Sequence, residues 1–454
     1  FNLWLGARRI ALAMKLEVHL LSGSSCTLEC GSESLVKELK AAAQGQLQRR
    51  FLRILGSAGQ QLELGSSLRE AGVQDGDRLV AVVQQVELAA TDQAFALHVK
   101  NGRVATWGGP SCGADCGQVR DQLLQVERIC GSGGAFAAIR SGSGGVVTWG
   151  STGNGGDSRQ VQEQLTQVRE ITATHFAFAA RKSNGTVVTW GASRKGGDSS
   201  AVRDQLTCVE QVRATQFAFA AIKEDGTVVT WGLPHSGGDS SQVQEQLTHV
   251  REIQGTLDAF AATRSNGTVV TWGDPKNGGD SSQVREQLTS VKQIQATGRA
   301  FAAIKEDGRV VTWGDPADGG DSSQVQQQLT QVQQIAATHC AFAAIKADGT
   351  AVTWGATGYG GDSSHVRHQL KMVRQISATA YAFAALREDG SVVTWGNPLE
   401  GGDSSAVSAQ LARVQRIHAT DFAFAAVRDD TAVVTWGGEC PAGVSLSPEE
   451  LNVL

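Results

Sequence analysis

From Val209 onward the chain shows a pattern of apolar and polar positions that recurs along most of its length. Val209, Val212 and Ala214 alternate loosely with polar residues, Ala218-Phe219-Ala220-Ala221-Ile222 is a short apolar run, and Thr227-Val228-Val229-Thr230-Trp231 is another. Short runs rich in β-branched and aromatic residues, bounded by Gly and Asp, read as strands. Successive strand side chains point to opposite faces. Phe219 and Ala221 therefore share one face, Ala218, Ala220 and Ile222 share the other, and Trp231 lies with Val229. Asp225-Gly226 between two strands predicts a type I′ hairpin turn, with positive φ at both central residues. After Trp231-Gly232 the string Gly237-Gly238-Asp239-Ser240 supplies a turn and a helix cap. Val243, Leu247 and Val250 then predict about two turns of helix.

The unit recurs. The Thr-Trp-Gly core places Trp at 107, 149, 190, 231, 272, 313, 354, 395 and 436, a spacing of 41 residues after a first step of 42. A fixed period of this size is the signature of a repeat architecture, in which no unit can bury its own aromatic residues and neighbours must cover them. Gly142 to Gly145 carries one extra hairpin residue, which accounts for the longer step. In the last unit Thr431 stands where Gly is expected, and a looser final hairpin follows.

Ahead of the repeats lies a different pattern. Leu16, Val18 and Leu20 alternate with Lys15, Glu17 and His19 as in a half-buried strand; Cys26 to Cys30 reads as its return. Ser34 is placed to cap a helix carrying Leu35, Val36, Leu39 and Ala43, and strands are expected at Phe51 to Leu55 and Leu79 to Val86. This ββαββ order is a β-grasp pattern. Leu62-Glu63-Leu64-Gly65 and Ser67-Leu68-Arg69-Glu70-Ala71-Gly72-Val73-Gln74-Asp75-Gly76-Asp77 resemble the ubiquitin-like family in its turn before the closing strand. The last strand runs on into the repeats and has no free Gly-Gly tail, so the resemblance implies a fixed docking module and not a transferable tag.

The repeats resemble the regulator-of-chromosome-condensation (RCC-type) family in their Asp-Gly hairpin, the Trp-Gly that closes it, the Gly-rich turn and the Val–Ile–Ala strand leading back. That resemblance implies a mainly β fold, a β-propeller-like ring of 41-residue three-stranded units, preceded by the α+β β-grasp domain. Closed propellers usually have about four to eight blades. With nine copies present, an open spiral or solenoid of the same blades stands as the alternative. The expected organisation is a leader at 1–13, the ubiquitin-like domain at 14–85, the repeats at 86–437 and a tail at 438–454. The chain begins with Phe1, and a partial gene product with Met14 as candidate start is the expectation.

Composition narrows the function classes. Net charge is −5 with no basic patch in the bulk numbers, which excludes an electrostatic footprint for nucleic acid, and no apolar run reaches membrane-helix length. The eight Cys do not follow the period, and Cys112-x-x-x-Cys116 lacks the second pair of ligands that zinc needs. The scattered Cys suit a reducing, cytoplasmic or nuclear setting. The Gly-rich turns do not continue into Gly-Lys-Ser or Gly-Lys-Thr, no triad stands out, and the recurring Asp is explained by capping. No enzyme activity and no cofactor are expected.

What varies against the constant frame is the candidate site. Two residues precede each Ala-Phe-Ala strand, giving His175, Phe176, Phe217, Asp258, Arg299, His339, Tyr381 and Phe422. The loop after each Trp-Gly adds Arg194, Lys195, His235 and Tyr359. In repeat proteins the frame carries stability and such loops carry binding. The expectation is a protein-binding scaffold. The family resemblance adds two alternatives: guanine-nucleotide exchange on a Ran-type small GTPase, and substrate recognition for a HERC-type ubiquitin ligase, here without a HECT domain. The partner class is thus an unnamed protein, with a small GTPase or a ubiquitin-system component among the candidates.

Overall fold

The computed structural model describes residues 13–438, apart from 21–24, 48–50, 58–59, 61, 84–87, 100–102 and 430–431. The leader, most of the tail, the Asn101-Gly102 turn and the Thr431 hairpin lie outside the described residues. Contacts divide the chain into two compact units, Phe1–Val86 and Glu87–Leu454. Among the described residues no helix is long and apolar enough to cross a membrane.

The first unit contains β1 (Ala13–Leu20), β2 (Ser25–Gly31), α1 (Val36–Leu47), β3 (Phe51–Leu55) and β4 (Arg78–Val83). The sheet order is β2-β1-β4-β3, with β1 and β4 parallel and the other pairs antiparallel. Leu16 and Val18 from β1, Leu79 and Ala81 from β4, and Val36, Leu39 and Ala43 from α1 close one core. At the start of the helix the Glu38 carboxylate reaches back and accepts from the Leu35 amide, satisfying an amide the helix itself cannot.

The second unit is mainly β: nine three-stranded antiparallel sheets in series. In the fourth repeat the strands are Val209–Ala214, Ala218–Lys223 and Val228–Gly232. Phe219 lies directly opposite Trp231 across the hairpin, and their rings stack with centroids 5.2 Å apart. This Phe–Trp face presses on Ala177, Ala179 and Val187 of the third repeat. The opposite face, Ala218, Ala220, Ile222 and Val228, receives Phe260 and Trp272 of the fifth. Large rings meet small Ala at each joint, so neighbouring sheets approach closely and the rings leave water.

The Gly-Gly turn is part of the same joint. Trp272 donates its indole N–H to the Gly237 carbonyl at 3.0 Å. Gly237 has φ +92°, and a Cβ there would fall 2.5 Å from the Phe260 ring. Glycine is thus required both by the left-handed backbone and by the ring it touches. The repeats from Trp149 to Trp436 bury their indoles to 4 % exposure or less, whereas Trp107 in the first repeat is 46 % exposed. The propeller-like blades follow one another in series, and the ring face of the first leaves Trp107 half exposed.

Two local expectations are corrected. The hairpin turn is not type I′. Gly226 donates to the Lys223 carbonyl and Lys223 to that of Thr227, while Gly226 alone has positive φ. The Asp225 carboxylate accepts from the Thr227 amide and hydroxyl, so its side chain bridges a three-residue loop with one left-handed Gly. The connectors also hold no α-helix. They form 3-10 turns of three to six residues, ended by residues such as His249 at φ +54°. Asp239 accepts from the Ser241 amide as an Asx turn and not as an α-helix cap. Val243, Leu247 and Val250 do point inward, so their spacing reported burial while the short span to the next strand prevented a helix.

Replacing Trp272 by Ala is expected to cost roughly 3–5 kcal/mol in chemical denaturation, with Trp107→Ala costing far less because that ring is half exposed; equal costs would refute burial as the source. The Asx-turn carboxylates Asp157, Asp198, Asp239, Asp280, Asp321, Asp362 and Asp403 are all held below the ordinary value, by Arg159 and its amide for Asp157 (to about 2) and by the Ser amide two residues on for the others. Because the folded values are lowered, their stabilisation is complete above the ordinary Asp value and is lost as pH falls through the folded ones. Thermal midpoints should hold steady down to about pH 4 and drop between there and about pH 2; a drop beginning near neutral pH would point to other groups.

Candidate functional site

Each repeat's first strand ends in a turn at which the chain reverses into the Ala-Phe-Ala strand. The buried Thr215 hydroxyl accepts from the Ala218 amide at 3.0 Å and donates to the Ser236 carbonyl at 2.8 Å. Leu233 donates its amide to the Phe217 carbonyl at 3.0 Å. These bonds tie the loop after Trp-Gly to the turn before the next strand. Thr174, Thr256, Thr297, Thr338 and Thr379 repeat the tie to Lys195, Asn277, Asp318, Tyr359 and Glu400. The two variable positions of the third to eighth repeats are thereby brought to one place by constant residues.

The same turns are linked from repeat to repeat. The His175 amide donates to the Gln216 carbonyl, Gln216 to Leu257, Leu257 to Gly298, Gly298 to His339, His339 to Ala380 and Ala380 to Asp421, at 2.7–3.1 Å with the two earlier bonds Asp92 to Gly133 and Gly133 to His175. A single file of backbone hydrogen bonds runs the length of the array. The side chains beside it form a continuous strip.

The strip changes character along its length. Lys195 Nζ sits 3.4 Å from the Phe176 ring centre and 5.3 Å from that of Phe217, and the two rings stack at 5.7 Å. His175 contacts Phe176 edge-on and reaches Asp92 at 3.2 Å. In the middle, the Ser236 hydroxyl and the Asn277 amide donate to the two Asp258 oxygens at 2.6 and 3.1 Å. Arg299 lies 3.6 Å from Asp315 and 3.9 Å from the buried Asp318. Burial and the neighbouring Asp318 push the Cys340 thiol up to about 12. The far end is aromatic again: Tyr359 stacks on Tyr381 at 5.2 Å, and Tyr381 on Phe422 at 5.9 Å. Phe422 is 42 % exposed. Glu400 occupies the position that Lys195 holds in its repeat, and its Oε2 is buried with no hydrogen-bond partner.

Of the residues singled out from sequence, Phe176, Phe217, Lys195, Asp258, Arg299, Tyr359, Tyr381 and Phe422 fall in this strip. His175 and His339 belong to the hydrogen-bonded file, with His339 packed over Gly298. Arg194 and His235 are exposed one position away and stand outside the strip. Sequence reading placed Ser236 and Cys340 among the variable positions without selecting them as site residues, and missed Asn277, Asp318 and Glu400. Most share the register of Lys195 and Tyr359, five residues after each Trp, so the signal was present in the period. Among the described residues no three His, Cys, Asp or Glu side chains gather into a metal-holding group.

No family model and no curated protein matches the chain. Solved structures of similar architecture include yeast RCC1 (Prp20) bound by Kap60, at 16 % identity over 61 % of this chain and 71 % of that one, TM-score 0.36. Prp20p from Saccharomyces cerevisiae, described with its binding to Gsp1p and histones, matches at 14 % identity over 64 % of this chain and 86 % of that one, TM-score 0.35. The ubiquitin of Caldiarchaeum subterraneum matches at 23 % identity over 16 % of this chain and 96 % of that one, TM-score 0.15.

Thiol labelling checks the middle of the strip. Cys340 is buried with a thiol pushed up, whereas Cys208 is exposed. Thiolate is the reactive form, so Cys208 should label readily near neutral pH while Cys340 resists until the chain unfolds. Equal rates in the folded protein would contradict the described environment.

Proposed function

We propose that the repeat array is a non-enzymatic scaffold that binds another protein along the strip from Phe176 to Phe422, with the N-terminal β-grasp unit as a ubiquitin-like docking module. One observation carries this reading. Copy-to-copy variation in the turns and Trp-Gly loops collects on one line, where constant Thr hydroxyls hold it in place. Half-exposed aromatic rings flanking an acid–base middle suit protein recognition, where such residues anchor and charged pairs set register. A cytoplasmic or nuclear setting is proposed with it, on Cys residues scattered without regard to the repeat period.

Exchange on a Ran-type small GTPase is the second reading, since Prp20p is described with binding to Gsp1p. Against it, the Trp spacing of 41 or 42 residues leaves no inserted segment to act as a wedge. The ligase-recognition reading has no observation of its own in this chain beyond the family resemblance.

The experiment compares proteins captured by the intact chain with those captured by Phe217→Ala, Tyr381→Ala and the off-strip control Arg194→Ala. The reading expects a specific partner whose affinity falls about 30-fold or more for either ring variant, as for a ~2 kcal/mol anchor, and stays unchanged for the control. A partner indifferent to both rings would reject the strip as the site. Accelerated nucleotide release from a small GTPase would replace the scaffold reading with exchange.

A further inference from the structure

The array has two unlike ends. At the first repeat the ring face is open: Phe95 stacks on Trp107 at 5.4 Å, Leu97 lies opposite Ala105, and Trp107 is 46 % exposed. At the ninth repeat it is the small-residue face that is less covered: Ala423, Ala425, Val427 and Val433 are all partly exposed, where the corresponding Ala218, Ala220, Ile222 and Val228 are at most 2 % exposed. Each internal joint is made by seating one such ring face on one such small-residue face. The described repeats thus carry both halves of their own joint, one on the first and one on the ninth.

The backbone file has the same polarity. It starts at Asp92, whose carbonyl stands where an earlier repeat would donate, and stops at Asp421, whose amide stands where a later repeat would accept. Both residues are exposed. Repeat proteins ordinarily finish such ends with a polar capping unit; here the described end faces keep the internal pattern of Phe, Trp, Ala and Val.

We propose that the ninth repeat of one chain docks on the first repeat of a second copy, Ala423, Ala425 and Val433 seating Phe95 and Trp107, and the Asp421 amide donating to the Asp92 carbonyl. The surfaces differ, so the contact is head-to-tail, and it closes into a ring or grows by further copies as the angle between them dictates. The scaffold then becomes multivalent, since each added copy contributes another strip; the docking itself does not depend on what the strip binds.

The test is the mass of the full chain in solution as a function of concentration, for the wild type, Trp107→Glu and Ala425→Glu. Folding of both variants is checked by circular dichroism and urea midpoint. The wild type is expected to gain mass with concentration, and each variant alone to stay monomeric. An equimolar mixture should form a dimer and nothing larger, because Trp107→Glu keeps an intact small-residue end and Ala425→Glu an intact ring end. A wild type that is monomeric throughout overturns the proposal, as does a mixture that never dimerises. A monomer whose Trp107 resists quenching, read as the difference from Trp107→Phe, overturns it by showing that the ring face is covered within one chain.

Discussion

One contact organises the repeat unit: an indole and a phenyl ring, stacked on adjacent strands, inserted into the Ala face of the preceding sheet. The indole N–H would be costly to bury unpaired, and it finds the carbonyl of a Gly in the preceding repeat, as Trp231 does at Gly196 and Trp354 at Gly319. Burial drives the contact and the hydrogen bond fixes its register. Several constant features of the 41-residue unit serve it. Ala keeps the receiving face flat. The paired Gly residues permit a turn pressed against the ring. The Asp beside them holds that turn by accepting a backbone amide.

A rigid frame is what makes the strip meaningful. The Thr hydroxyls and the backbone file fix the positions of the variable residues, so a substitution such as Phe176 to Asp258 between equivalent positions changes the chemistry of the surface without moving it. The cation–aromatic cluster at Lys195, the acid pair around Arg299 and the aromatic stack at Tyr381 are three different surfaces on one template. Binding to such a surface loses little conformational entropy on the protein side, because its loops are already ordered.

Much of this was legible in the sequence. The Trp period, the three strands per repeat and the assignment of Phe219 and Ala218 to opposite faces follow from alternation alone, and the β-grasp order followed from the same reasoning. The connectors were misread because apolar positions four and three apart fit an α-helix and a bent 3-10 path equally well over a few residues. The hairpin turn was misread because Asp225-Gly226 suits two turn classes, and the choice depends on where the Lys223 and Thr227 backbones pair. The strip itself was half visible. Variation between copies marked both positions, but their meeting depends on Thr215 and its equivalents, whose hydroxyls bridge segments about twenty residues apart and leave no local pattern.

Residue-resolved amide hydrogen exchange of the native chain tests the central claim most directly. If the stacked rings and the backbone file make a single ordered frame, the amides of Gln216, Leu257, Gly298 and His339 exchange only with the large-scale opening that releases the Ala-Phe-Ala strands. If they exchange as freely as exposed loop amides while those strands stay protected, the strip is not held by the frame and the account fails.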